Sequence, residues 1–314
     1  MDQQLGLARP RSPRPQGWIR LRRVTLRFFI ALVAVYIIGS AVGEWSTLHP
    51  LRYGDGPAPS KYGMAYQTVT FSNADGLTLR GWWIPGSAAR TVVMIHGWTS
   101  SRAEPMSKAT YLHAAGYNLL VFDLRGHGTS DGSYTTMGFA EPVDIRAAVS
   151  FALRQEPTAP VALVGYSMGG ALAVEAAARD PRVVGVVDDS GYGSLVDVIG
   201  NRFAGLTRLP AALDFLMLAI QRADLHFDAS SVRPASDAAR LHRPLLTIIG
   251  TADTMVTPAQ ARRVYDAAAG PKELLMVPGA AHVAGYDRDR PTYTRTVLAF
   301  LNMAFEGRQR SPNR

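Results

Sequence analysis

The 314-residue chain contains no cysteine. That absence excludes a disulfide framework, a thiolate nucleophile and a cysteine-based metal site, and it leaves the compartment open. Internal repeats are missing as well, and biased composition is confined to the two arginine-rich ends. No zinc-finger, RNP-type or basic-helix pattern accompanies the net charge of +8, so nucleic acid is not an expected partner. The positive charge is instead concentrated at the termini. Seven arginines fall in the first 27 residues and three in the last seven, while the middle is close to neutral. A 47% hydrophobic content with mixed charges is that of a globular chain, and the length fits one large domain with an appendage.

The appendage is N-terminal. Residues 1–23 read as a basic, disordered segment. Residues 24–43 then carry an uncharged apolar run from Phe28 to Gly43, long enough to span a bilayer if counted from Val24 with Arg27 reaching back to the headgroups. Trp18 and Trp45 flank it as interfacial aromatics do. A signal anchor is expected, single-pass, with the basic end in the cytoplasm and the remainder outside it at the cell membrane. Cleavage near Gly39-Ser40-Ala41, as a signal peptide, is the main alternative. A helix of a soluble protein is a weaker one, because the run has no polar face. Residues 44–63, with several Pro and Gly, read as a linker, and residues 306–314 as a basic tail.

Beyond the linker, short apolar β-type runs alternate with helical stretches. Tyr66–Ser72 and Leu77–Ile84 read as a hairpin around Asn73-Ala74-Asp75-Gly76. Further strands are expected at Thr91–Ile95, Tyr117–Phe122, Val161–Tyr166, Val183–Asp188, Leu245–Gly250 and Lys272–Val277. Helices are expected at Ala103–Ala115, Glu141–Arg154, Met168–Ala178, Pro258–Ala268 and Pro291–Phe305. Such alternation implies an α/β fold, a mostly parallel sheet of about eight strands covered by helices on both faces.

Three strand ends carry chemistry. Val161–Gly170, VALVGYSMGG, reads as strand, sharp glycine-flanked turn and small-residue helix, with Ser167 at the apex. A serine hydroxyl is a poor nucleophile until the backbone exposes it beside a base, which such a turn does; the competing reading of Ser167 is a helix N-cap. Leu245–Gly250 is followed by Thr251-Ala252-Asp253, placing Asp253 at the carboxyl edge of the sheet, where α/β sites assemble. Leu274–Val277 leads into Pro278-Gly279-Ala280-Ala281-His282. Asp188 and Asp189, ending the strand after the serine turn, compete with Asp253 for the acid's role.

These motifs, with His96-Gly97, the run Phe122–Ser130 and the order Ser…Asp…His, resemble the α/β-hydrolase superfamily over roughly residues 64–305. Membrane-anchored hydrolase-domain proteins are the nearest likeness, including relatives of depalmitoylating thioesterases, lysophospholipases, monoglyceride lipases and serine aminopeptidases. The resemblance implies a Ser167-His282-Asp253 triad and an oxyanion hole formed by the backbone amides of Trp98 and Met168. It implies neither cofactor nor metal. It also implies a small helical cap, about 191–242, over the site. The apolar stretch Phe203–Ile220 lies there, and Phe203, Leu206, Leu213 and Leu216, with Tyr166, are candidate acyl-binding residues. The same stretch reads equally well as an ordinary core helix.

His96 reads as a structural brace for its loop, and Asp123, Arg125 and His127 as structural rather than metal- or phosphate-binding, since no second ligand cluster occurs at metal spacing. The expected activity is cleavage of carboxylic ester or thioester bonds in small acyl or lipid substrates. An aminopeptidase drawing on Asp188, Asp189 or Asp131 to hold a substrate amine, and an idle binding module on the same fold, are the alternatives.

Overall fold

Short β-type runs bounded by turn residues cannot satisfy their backbone alone, and here they pair into one sheet. The computed structural model describes residues 16–54, 56–207, 214–225 and 228–309. Its strands are β1 (Gln67–Ser72), β2 (Thr78–Ile84), β3 (Thr91–Ile95), β4 (Asn118–Phe122), β5 (Val161–Tyr166), β6 (Val183–Asp189), β7 (Leu245–Gly250) and β8 (Lys272–Val277). They form one eight-stranded sheet in the order β1-β2-β4-β3-β5-β6-β7-β8. β1 and β2 are antiparallel to each other and β2 to β4, and the other pairings are parallel. Strands β3 to β7 are buried along their whole length, as parallel strands covered on both faces must be.

The helices are α1 (Gln16–Leu48), α2 (Met106–Ala114), α3 (Pro142–Gln155), α4 (Met168–Ala177), α5 (Leu195–Thr207), α6 (Phe215–Leu225), α7 (Pro234–Ala238), α8 (Pro258–Ala267), α9 (Gly285–Arg288) and α10 (Arg290–Gln309). Side chains alternate across a strand, so Val93 and Ile95 of β3 join one core with Ile145, Leu172 and Val264 of α3, α4 and α8. Val92 and Met94 join the opposite core with Ala109 and Leu112 of α2 and Val297 and Phe300 of α10. Among the described residues, the expected cap region, about 191–242, contains α5, α6 and the short α7.

Trp18–Leu48 within α1 is long and apolar enough to cross a membrane. The sequence reading ends the span at Gly43 and makes 44–63 a linker. The helix in fact runs to Leu48. Glu-Trp-Ser-Thr-Leu contains no helix breaker, and Pro50 disfavours helix at the residue before it. The extra turn is docked: Glu44, Thr47 and Leu48 are buried, and Thr135 N–H donates to Leu48 O at 2.8 Å. Just beyond, the Arg52 guanidinium donates to the carbonyls of Ser130 and Gly132. Further up α1, Tyr36 meets the ring of Phe215 on α6 at 6.1 Å.

Candidate active site

Ser167 sits between β5 and α4 with φ 55° and ψ −120°, a left-handed conformation that a non-glycine residue holds only when its surroundings impose it. The surroundings do so through close backbone approach. A Cβ at Gly165 would run into the Gly169 carbonyl, and one at Gly169 into the carbonyl of Ile95 on β3. The two glycines therefore let the chain fold back tightly enough to leave the Ser167 side chain at the apex. Its own N–H is tied to Asp189 O at 2.8 Å.

The loops after β7 and β8 supply the partners. His282 Nε2 lies 2.7 Å from Ser167 Oγ, and His282 Nδ1 lies 2.7 Å from Asp253 Oδ2. A carboxylate can only accept, so Nδ1 carries the proton and Nε2 is left to accept from the serine hydroxyl. The carboxylate is buried and fixed, since its other oxygen accepts the N–H groups of Met255 and Val256 at 2.9 and 3.0 Å. Asp188 and Asp189 do not take this place. Asp188 is buried and accepts from Gly191 N–H, and burial pushes its carboxyl up to about 7. Asp189 accepts from Tyr293 Oη at 2.7 Å and from Ser190 Oγ at 2.9 Å. Asp131 is held by Arg80 and by Thr78 N–H.

Ser167 and His282 open into a cavity of about 690 Å³, which Trp98 and Met168 also line. Among the described residues, the backbone N–H groups of Trp98 and Met168 have no acceptor. The Met168 N–H is in addition the first of α4, where no intrahelical acceptor exists. Five described non-glycine residues have positive φ: Thr99, Met137, Ser167, Ser190 and Val283. Four of them line this cavity, and the fifth, Ser190, accepts the N–H of Val283 at 3.2 Å. Val283 is β-branched, so its φ of 56° is costly and is maintained by that contact. Backbone strain is thus gathered around one void.

The walls come from three sources. Val198, Ile199, Asn201, Arg202 and Gly205 present one face of α5, Met255 and Val256 follow Asp253, and Thr47 comes from the last turn of α1. Trp98 joins two of these walls. Its indole Nε1–H donates to Thr47 O at 2.9 Å, and the Arg202 guanidinium lies 4.3 Å over its ring.

The proposed acyl-binding residues need revision. Tyr166 does not face the cavity: it is fully buried on the β5 side facing α2, with Lys108 Nζ 4.3 Å from its ring, because strand alternation turns it away from Ser167. Phe203 and Leu216 are also absent from the lining, which takes the 198, 201–202, 205 face of α5 instead. Leu213 lies outside the described residues, as does the side chain of Leu206.

His96 braces as expected, with Nε2 accepting Leu124 N–H at 3.1 Å and Nδ1 donating to Gly97 O at 2.7 Å; burial keeps its pKa low. Asp123 accepts Arg102 N–H and Thr129 N–H, and Arg125 forks onto Asp144 while also reaching Asp75. Sequence reasoning passed over Glu141. This buried carboxylate accepts from Thr135 Oγ1, Thr136 N and Oγ1, and Gly138 N at 2.6–2.8 Å. Burial alone would raise its pKa, but these donors bring it below the usual carboxylate value. The knot shapes the loop that puts Met137 on the cavity wall. The signal was a Glu just after two threonines and a glycine, a pattern that also reads as an ordinary helix start.

A family model described as "Serine aminopeptidase, S33" matches residues 86–191. An uncharacterized protein of Mycobacterium tuberculosis is 31% identical over 271 residues, covering 83% of this chain and 90% of the relative. The uncharacterized protein YfhR of Escherichia coli K12 is 24% identical over 294 residues, covering 90% and 95%. Among solved structures, an esterase of Pyrococcus furiosus superposes with a TM-score of 0.71 at 26% identity, covering 82% of this chain and 98% of the other. An acetyl xylan esterase of Paenibacillus shares the fold, with a TM-score of 0.61 at 19% identity and coverage of 86% and 93%.

Proposed function

Because this chain belongs to the α/β-hydrolase superfamily, we propose that it is a serine hydrolase cleaving carboxylic ester or thioester bonds of acyl substrates. The observation that carries this reading is the unbroken hydrogen-bond chain from Ser167 Oγ through His282 to Asp253. Ser167 Oγ attacks the acyl carbonyl carbon as His282 Nε2 takes its proton, and Asp253 stabilises the resulting imidazolium. The Trp98 and Met168 amides receive the oxyanion, where a single such donor contributes about 3–4 kcal/mol of transition-state stabilisation. The imidazolium then protonates the departing alcohol or thiol. Water, deprotonated by the same imidazole, attacks the acyl-enzyme and releases the acid. Val198, Ile199, Met255 and Val256 give the cavity an apolar side suited to an acyl chain.

An esterase of known structure at 26% identity supports the ester reading over the peptidase one. The peptidase reading draws on the family model's description and on Glu104, a carboxylate on the cavity wall. However, Glu104 Oε2 already accepts Gly97 N–H at 2.6 Å, and Asp131, Asp188 and Asp189 are engaged elsewhere. An idle binding module would have no use for a strained nucleophile with a correctly protonated base beside it. We further place the enzyme at a membrane, anchored by α1 with its basic end cytoplasmic and the catalytic domain outside.

Fluorophosphonate labelling of the full chain tests the chemistry. Wild type should label and Ser167→Ala should not, with the two sharing the same far-UV spectrum; equal labelling would end the reading. Parallel assay of p-nitrophenyl esters of graded length and amino-acid anilides then separates esterase from peptidase.

A further inference from the structure

The cavity holds one side chain that ester hydrolysis as described leaves without a task. Arg202 is half-buried on α5 and is the single arginine among the described residues of the lining. Its guanidinium lies over the indole of Trp98, 4.3 Å from the ring centroid. Among the described residues it has neither a hydrogen-bond acceptor nor a carboxylate within ion-pair distance. The contrast with its neighbours is informative. Arg263 reaches Asp197, five residues before Arg202 on the same helix. Arg80, Arg102, Arg125, Arg179 and Arg182 each meet a carboxylate. Glu104 is the one carboxylate of the described lining beside the triad, and it serves Gly97 N–H instead.

A guanidinium withdrawn from water without an anion is unfavourable, and burial lowers the Arg202 pKa accordingly. Arginine suits such a position because it is weakly hydrated, stacks on aromatic faces and keeps its N–H edge free for bidentate contact with planar or tetrahedral oxyanions. The indole that supports it is itself fixed, since Trp98 Nε1 is bonded to Thr47 O on α1. The backbone of the same tryptophan offers the amide assigned above to the oxyanion. A group held by Arg202 would therefore lie one aromatic ring away from the residue that receives the scissile carbonyl.

We propose that Arg202 is an anion-recognition residue and that the substrate is an acyl ester bearing a phosphate or carboxylate close to the scissile bond. This rests on the serine-hydrolase reading and narrows its substrate class. Neutral esters lack a partner for the guanidinium; a substrate with an anionic oxygen group neutralises it inside the cavity.

The test compares kcat/KM on three esters of one acyl chain length: a monoacylglycerol, the corresponding monoacylglycerol phosphate, and a half-ester of a dicarboxylic acid. The wild-type full chain should prefer one of the two anionic esters over the neutral one. Preference for the phosphate places the anion in the leaving group, and preference for the half-ester places it in the acyl part. In Arg202→Gln the anionic-to-neutral ratio should fall by about 10- to 100-fold, the range expected for a charged hydrogen-bonded contact, chiefly through KM. Arg202→Lys should recover part of that ratio, because charge remains without the fork. An unchanged ratio in both variants, including an equal fall on all three substrates, would overturn the proposal, as would a wild type that prefers the neutral ester. Competitive inhibition by inorganic phosphate without any substrate preference would also overturn it, since the site would then hold a free anion. Fluorophosphonate labelling of Ser167, read alongside, separates failure of this inference from failure of the hydrolase reading.

Discussion

The indole N–H of Trp98 donates to the carbonyl of Thr47, 51 positions earlier in the chain, at 2.9 Å. Thr47 lies in the last turn of α1, so the helix that would anchor the protein also steadies the residue whose amide we propose as an oxyanion donor. Trp98→Phe isolates that bond, because a phenyl ring keeps an aromatic face under Arg202 while removing the donor. A net hydrogen bond contributes about 0.5–1.5 kcal/mol. We expect kcat on a short p-nitrophenyl ester to fall by up to about tenfold with KM little changed, and the thermal midpoint to drop slightly. An unaltered kcat would mean that α1 and the oxyanion loop are uncoupled.

Asp253→Asn should be far more damaging than its isosteric character implies. Asp253 Oδ1 is held by the amides of Met255 and Val256, and only the carbonyl oxygen of an asparagine can satisfy both. Its NH₂ group is then forced toward His282 Nδ1, which must become an acceptor and move its proton to Nε2. Nε2 no longer accepts from Ser167. A fall in kcat of about 10⁴-fold is expected, with fold and stability close to wild type. Retention of more than a tenth of the activity would show that Asp253 does not set the tautomer.

What could be read from the sequence follows a physical division. The strands at 91–95, 161–166, 245–250 and 272–277 have the expected bounds; the first three are mostly apolar runs between turn residues, and the last carries its apolar residues, Leu274–Val277, up to the turn at Pro278-Gly279. Ser167, Asp253 and His282 meet because all three follow strands of one parallel sheet, whose carboxyl ends share an edge. The docking of α1 was not legible. The run through Gly43 advertises bilayer composition, whereas Thr47 contributes a backbone carbonyl, a group every residue possesses. Arg202 was equally silent, since an arginine on a helix normally reads as a solvated charge. The acyl wall was sought in the large residues of the 203–220 stretch. The structure instead lines the cavity with Val198, Ile199 and Arg202, which are set by helical phase and not by hydrophobicity.

Gly169→Ala probes the turn that exposes Ser167. The added methyl would meet the carbonyl oxygens of Ile95 and His96 on the β3 side, and backbone cannot yield as a side-chain tip can. Overpacking of this kind costs about 1–3 kcal/mol, and the relief available is a shift of α4 away from β3. That shift moves Ser167 and the Met168 amide together. A displacement near 1 Å lowers the rate by about 10²-fold. We therefore expect a lower urea midpoint and at least that loss of kcat.

Glu175 gives stability a pH dependence that can be isolated. It is buried on α4, and its Oε2 has no partner among the described residues. Burial pushes its carboxyl from 4.5 up to about 8, against the opposing pull of Arg179, while Asp237 adds to the rise. Arg179 lies 3.1 Å from Glu175 and 3.2 Å from Asp237, so the two acids share one cation. The folded-state value exceeds the unfolded one. The group's favourable contribution is therefore complete below about pH 4.5 and is lost as pH rises toward about 8. Glu175→Gln imitates the protonated acid and cannot ionise. The difference in thermal midpoint, variant minus wild type, should be smallest near pH 4.5, become more positive up to about pH 8, and then level off. Asp188, with its carboxyl up at about 7, titrates in both proteins and largely cancels from that difference. A difference that stays flat across the whole interval would mean that Glu175 is already ionised in the folded protein, with Arg179 stabilising it fully.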